Sequence, residues 1–189
     1  MKIRVYDFAE STKALGPFER CALWVQGCPF HCKNCMTPDS IALNEGIEVE
    51  INILVDKILS LDVEGITISG GEPFLQSKEL YQMLNLIKQK KDLGVIVYTG
   101  FEYENIKDNK LLNFIDILID GKYIDELNDN SALRGSSNQN VYFLTDRYKK
   151  FKNLYNSKKR EIEIRVDDVE VSIIGIPSKN TLQKIKGLQ

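Results

Sequence analysis

Arg20-Cys21-Ala22-Leu23-Trp24-Val25-Gln26-Gly27-Cys28-Pro29-Phe30-His31-Cys32-Lys33-Asn34-Cys35 reads as a strand that runs directly into a loop of closely spaced thiols. Residues 20–26 are a short, mostly apolar run, the pattern of a buried strand. Cys28, Cys32 and Cys35 then follow with the spacing C-x3-C-x2-C. Three thiolates on one tight loop can each take one iron of a cubane, which leaves the fourth iron without a protein ligand and open to a chelating cofactor or substrate. Gly27 and Pro29 suit a loop that wraps closely around an inorganic core. Two other readings stand beside this one. The three cysteines with His31 could form a zinc site, although zinc sites are normally built from two paired knuckles and His31 adjoins Cys32, which makes the two hard to aim at one ion. Some of the thiols could also be small buried residues. Cys21, inside the strand, reads as a core residue.

Outward from the loop the chain settles into a helix–strand rhythm. An initial strand runs from Met1 to about Phe8. Ile51, Leu54, Val55, Ile58 and Leu59 form one apolar stripe at helical spacing, and Leu80, Met83, Leu84 and Ile87 form a second, with Ser77 as its N-cap. Between and after them, Gly65–Ser69, Gly94–Thr99 and Phe114–Asp120 read as short buried strands, each closed by glycine, with a short helix between Tyr103 and Leu112. Strands apolar throughout and alternating with helices imply a parallel sheet covered by helices. Every chemistry-bearing motif falls just after a strand, the edge where parallel α/β folds bind ligands. There are too few repeats for a complete eight-stranded barrel. Past Tyr123 the rhythm stops. Residues 125–139 are polar and turn-rich, Val141–Leu144 is a short apolar piece, and residues 162–166 and 169–173 alternate like a β-hairpin around Asp167-Asp168. Residues 178–188 suggest a final short helix.

Composition bounds the function classes. With 25 basic and 27 acidic side chains the net charge is −2. That argues against a broad electrostatic grip on nucleic acid or an anionic membrane. Lys149, Lys150, Lys152, Lys158 and Lys159 read as a solvated face. No segment has a signal-peptide pattern or the apolar length of a membrane span, so the expected location is cytoplasmic and the four cysteines are expected reduced. The single histidine has no nucleophile paired with it, so triad chemistry has no support.

The order of motifs carries a family resemblance. The thiol loop just after a strand resembles the radical SAM superfamily. Gly16-Pro17-Phe18-Glu19-Arg20 followed by Trp24-Val25-Gln26-Gly27-Cys28 resembles the entry segment of glycyl-radical-enzyme activating proteins. Ser69-Gly70-Gly71-Glu72-Pro73 looks like the superfamily's Gly-Gly-Glu motif. Val97-Tyr98-Thr99-Gly100, residues 116–122 and Arg134-Gly135-Ser136-Ser137-Asn138-Gln139 complete a series similar to the activating proteins of anaerobic ribonucleotide reductase. The resemblance spans about residues 14 to 140.

What it implies is specific. The fold would be a partial (β/α) barrel of the radical SAM type, with residues 1–150 as the core and 151–189 as a C-terminal extension. A 4Fe-4S cluster on Cys28, Cys32 and Cys35 and S-adenosyl-L-methionine would be the cofactors. The activity would be generation of a 5′-deoxyadenosyl radical and installation of a glycyl radical on a partner enzyme, anaerobic ribonucleotide reductase, with a flavodoxin- or ferredoxin-type electron donor. The alternative is a radical enzyme acting on a peptide or small molecule. Cofactor contacts would come from Asn34, which stands where many members carry an adenine-seating aromatic, and from Ser69, Gly70, Gly71, Glu72, Thr99, Asp120 and Lys122. The tail beyond about Phe151 exceeds the compact form of the family.

Overall fold

In a computed structural model of the protein, residues 1–155, 160–166, 171–178, 180, 181 and 184 are described. Among these residues nine strands, β1 (Lys2–Thr12), β2 (Arg20–Val25), β3 (Ile47–Glu50), β4 (Gly65–Gly70), β5 (Gly94–Tyr98), β6 (Ile117–Asp120), β7 (Asn140–Phe143), β8 (Ile162–Val166) and β9 (Val171–Gly175), are interspersed with α1 (Ile51–Ser60), α2 (Ser77–Lys88), α3 (Tyr103–Ile106) and α4 (Lys152–Tyr155). Seven strands form one sheet in the order β3-β1-β2-β4-β5-β6-β7, and β8 and β9 pair separately. β2, β4, β5 and β6 run parallel. β1 and β3 on one side and β7 on the other pair antiparallel.

Period-two alternation divides the sheet's two faces. Leu23, Val25, Ile66, Ile68, Val95, Val97 and Leu118 point into the larger core, where they meet Ile51, Leu54, Val55 and Ile58 of α1 and Leu80, Met83, Leu84 and Ile87 of α2. These helical residues recur at i, i+3, i+4 and i+7, so each helix presents one apolar stripe to the sheet. Burying each such side chain contributes about 1.5–3 kcal/mol. Cys21 belongs to this core with no exposed surface, and burial pushes its thiol up to about 12. The other face carries smaller clusters: Ile96, Ile117 and Ile119 with Leu133, Tyr148 and Tyr155, and Ala22 and Trp24 with Ala9, Leu15 and Ile174. Among the described residues no helix long enough to share the load covers this face, which is hollow over the parallel strand ends.

Several elements differ from the sequence reading. β1 continues to Thr12, because its partner β2 supplies hydrogen bonds past the point where the apolar pattern fades. β3 was not legible: it is a four-residue edge strand without a buried side chain, so it lacks the alternation that marks a strand. β6 begins at Ile117, and Lys110–Phe114 before it forms a 3-10 turn. Ser77 does not cap α2. A 3-10 turn over Pro73–Gln76, started by Glu72, feeds straight into the helix and leaves Ser77 as its first residue. The hairpin pairs Val166 with Val171, two residues later than the alternation suggests. Asp167-Asp168, Lys158 and Lys159 lie outside the described residues, as does most of the expected C-terminal helix. Among the described residues no helix is long and apolar enough to cross a membrane.

Candidate active site

The hollow face holds a cavity of about 720 Å³, lined along the strand ends by Trp24, Ser69, Gly70, Gly71, Glu72, Tyr98, Thr99 and Gly100. Cys28 and Cys32 of the thiol loop stand on it, with Phe30, Met36 and Thr37 beside them. Register shifts between Val5 and Asp7 and between Ala9 and Thr12 interrupt the β1–β2 ladder. Such irregularities bend a strand and re-aim its side chains, and Tyr6, Asp7, Phe8 and Ala9 complete that wall of the cavity.

Backbone contacts hold the loop against the strand ends. Gly27 N–H donates to the Ser40 carbonyl at 2.8 Å and Cys28 N–H to that of Ile41 at 3.0 Å. The Gly27 carbonyl accepts from Glu72 N–H at 2.8 Å, and the Val25 carbonyl accepts from Gly71 N–H at 2.7 Å. This crossing leaves no room for side chains. A Cβ on Gly70, whose φ is +97°, would lie 2.6 Å from the Val25 backbone, and one on Gly71 would overlap the Gly27 carbonyl. A Cβ on Gly100 would overlap the Phe30 ring, which packs edge-on against Phe101 at 4.9 Å. Gly-Gly at the end of β4 is therefore a steric necessity of bringing the thiol loop onto the sheet.

Glu72 is almost wholly buried at the centre of this arrangement. Its carboxylate accepts from Thr99 Oγ1 at 2.7 Å, Gly100 N at 2.7 Å and Phe74 N at 3.0 Å. It thus clamps the end of β4 to the end of β5 while capping the turn into α2. Burial raises its carboxyl above the usual range, against the pull of those three donors. Burial also pushes the Cys28 thiol up to about 11, with the nearby Glu72 carboxylate and the other two cysteines adding to the rise. Cys32 is raised by burial and by Cys35. Without a cation the loop keeps these thiols protonated, and binding metal displaces the protons.

The other sequence candidates are placed differently. Lys122 holds its ammonium 4.7 Å from the centre of the Phe30 ring. Asn34 is exposed in a left-handed conformation, φ +56°, and its amide donates to Asp125 at 3.1 Å, fastening the loop to the segment after β6 beside the Lys33–Glu126 ion pair. Neither lines the cavity. Asp120 is buried outside it: one oxygen accepts from Tyr103 N at 2.7 Å and the other from Asn140 N and Nδ2 at 3.1 and 3.0 Å. Its carboxylate starts α3 and registers β7. The Arg134–Gln139 stretch is a self-bonded turn, in which Gln139 Oε1 accepts from Gly135 N at 2.8 Å and Gln139 Nε2 donates to the Gly121 carbonyl at 2.7 Å. Its Gly135 and Gln139 reach the cavity.

Residues 14–142 match the family described as 4Fe-4S single cluster domain. The chain belongs to this family. It is 34% identical over 142 residues to the anaerobic ribonucleoside-triphosphate reductase-activating protein of Vibrio cholerae, covering 69% of this chain and 91% of that protein. The protein of the same name in Escherichia coli K12 is 30% identical over 142 residues (68% and 91%), and that of Enterobacteria phage T4 is 28% identical over 137 (69% and 88%). For a 4Fe-4S single cluster domain the thiol loop fits. Among the described residues no three His, Cys, Asp or Glu side chains converge on a point where one ion could sit. A cubane asks for no such convergence, since each thiolate binds its own iron. Cys28, Cys32 and Cys35 are all partly exposed on one loop, and His31 is exposed.

Sequence reasoning missed Phe30, Met36, Tyr98 and the β1 residues Tyr6 to Ala9 as cavity walls. Phe30 and Met36 adjoin the cysteines, and Trp24 and Tyr98 stand within the motifs quoted for the resemblance. The β1 residues carry no such signal, because only pairing with β2 brings them there.

Proposed function

We propose that the chain activates a glycyl-radical partner, an anaerobic ribonucleoside-triphosphate reductase, using a 4Fe-4S cluster and S-adenosyl-L-methionine held in this cavity. The observation that carries the reading is the convergence of Cys28, Cys32, the bare backbone of Gly70-Gly71 and the Glu72–Thr99 clamp on one cavity at the parallel strand ends. The relatives' shared name gives the partner. The scaffold is read as a partial barrel of the radical SAM type, residues 1–150, with residues 151–189 as an extension, and the electron source as a flavodoxin- or ferredoxin-type protein.

When bound, the cluster and S-adenosyl-L-methionine supply a carbon-centred radical able to take a hydrogen atom from a glycine Cα. The chain's own residues bind and shield. Cys28, Cys32 and Cys35 would each hold one iron of the cluster. Gly70 and Gly71 let the thiol loop cross the end of β4 at backbone contact, which sets the cysteines beside the cavity. Trp24, Phe30 and Phe8 form apolar walls that keep water from a reactive centre. Glu72 keeps the ends of β4 and β5 at fixed separation, so the cavity floor does not reorganise when loaded.

The test is anaerobic reconstitution with iron and sulfide, reduction, and assay of 5′-deoxyadenosine, followed by electron paramagnetic resonance of the reductase. Wild type forms 5′-deoxyadenosine and leaves a glycyl signal on the reductase; Cys32→Ala does neither. Cysteine-independent product, or a chain that takes up zinc and never iron, refutes the reading.

A further inference from the structure

The C-terminal hairpin turns its apolar face outward. Directly opposed residues of an antiparallel pair share a face. Ile162, Ile164 and Val166 of β8 therefore stand with Gly175, Ile173 and Val171 of β9, while Glu163 and Arg165 stand with Ile174 and Ser172. The second, more polar face meets the body of the protein. Ile174 is buried with Ala9, Leu15, Ala22 and Trp24. Glu163 accepts from Lys13 N at 2.6 Å, and the Arg165 guanidinium donates to the Ser11 carbonyl. On the first face Ile164, Val166 and Val171 are exposed by 54%, 72% and 61%, while Ile162 and Ile173 are half-buried. Exposed β-branched residues side by side on one face of the ribbon, with its charged side chains on the other, mark an interaction site.

Its position names the occupant. Arg165 and Val171 to Pro177 wall the same cavity as Cys28 and Cys32, so the ribbon stands at the cavity mouth, and Val171 and Ile173 belong to both surfaces. Hydrogen abstraction from a polypeptide requires that polypeptide to cross this mouth. The ribbon also lies beyond residues 14–142, the span matched by the family, which suits selection of a partner more than chemistry common to the family. We propose that the outer face of β8–β9, centred on Ile164 and Val166, docks the glycyl-radical reductase and guides its glycine-bearing segment past β9 into the cavity. This rests on the function proposed above.

The test uses the full chain with Ile164→Thr and Val166→Thr together. Neither residue lines the cavity, and threonine keeps the β-branching that strands favour. Binding of the apo chain to its cognate reductase is measured by calorimetry, alongside 5′-deoxyadenosine formed by the loaded chain without reductase and the glycyl signal formed with it. The expected result is reductase binding weakened about ten-fold or more, a glycyl signal that falls with it, and unchanged 5′-deoxyadenosine. Val166→Asp alone, at the most exposed position, must also weaken binding, which guards against a folding artefact in the double variant. Unchanged reductase affinity in both variants overturns the proposal. So does a wild-type dimer, seen by light scattering, that the variants abolish while reductase affinity stands, since the face would then belong to a second copy of this chain. If wild type forms no 5′-deoxyadenosine, the functional reading fails instead, and the calorimetry still reports on the docking face.

Discussion

Glu72 and its glycine neighbours show how single residues set the site. Because burial raises the Glu72 carboxyl, the neutral form is favoured more in the folded chain than in the unfolded chain. A raised acid contributes stability that is whole below its unfolded value of about 4.3 and is lost as pH rises through the folded value. In urea unfolding of the apo chain, the stability of wild type relative to Glu72→Gln should therefore shrink as pH is raised from about 4 to 7. A difference that stays level across that range would sink this account. Gly71→Ala and Gly121→Ala separate crowding from backbone strain. The first pushes a methyl into the Gly27 carbonyl, whereas a Cβ on Gly121, at φ +92°, meets nothing closer than 3.8 Å. Gly71→Ala should cost about 1–3 kcal/mol and lower iron retention after reconstitution. Gly121→Ala should cost about 1–2 kcal/mol in strain and retain iron normally. Glycine-rich strand ends were legible in the sequence. That Gly71 makes room for the thiol loop was not, because the atom it avoids lies 44 positions away.

Among elements, β7 shows a short strand held by one side chain from its neighbour. Asp120, at the end of β6, ties down both Tyr103 N at the start of α3 and Asn140 at the start of β7. Asp120→Ala leaves these part-buried donors without their charged acceptor and should cost about 1–3 kcal/mol of unfolding free energy. If Asp120 served the cofactor instead, stability would stay within error and S-adenosyl-L-methionine affinity alone would fall. α1 and α2 were legible because their stripes are local and periodic. β3 was not, because it exists only through antiparallel pairing with β1 from Lys2↔Glu50 to Val5↔Ile47.

For the whole molecule, Arg20 is the keystone of the end opposite the cavity. Its guanidinium has no exposed surface. It donates to Thr67 Oγ1 and the Pro17 carbonyl, each at 2.7 Å, and to the Ile66 and Gly94 carbonyls at 3.2 and 3.4 Å. It lies 3.8 Å from Glu64, which also accepts from Tyr148 Oη at 2.5 Å. One side chain thus joins β2, β4, β5 and the segment after β7. Arg20→Ala should destabilise by about 3–5 kcal/mol, read from the urea midpoint, and Arg20→Lys should recover little of it, since an ammonium cannot span that fork of acceptors. The sequence by itself determined the parallel α/β rhythm, the thiol loop at a strand end and the order of the motifs. Those features are written in spacing along the chain, where helical and strand periods and ligand intervals are local. Only the tertiary structure decided that Glu72 clamps two strands, that Asp120 and Asn34 bond to protein away from the cavity, and that the C-terminal ribbon faces its apolar side to solvent. An alternating strand has two faces of equal standing in the sequence, and which one is buried depends on what the rest of the chain places beside it.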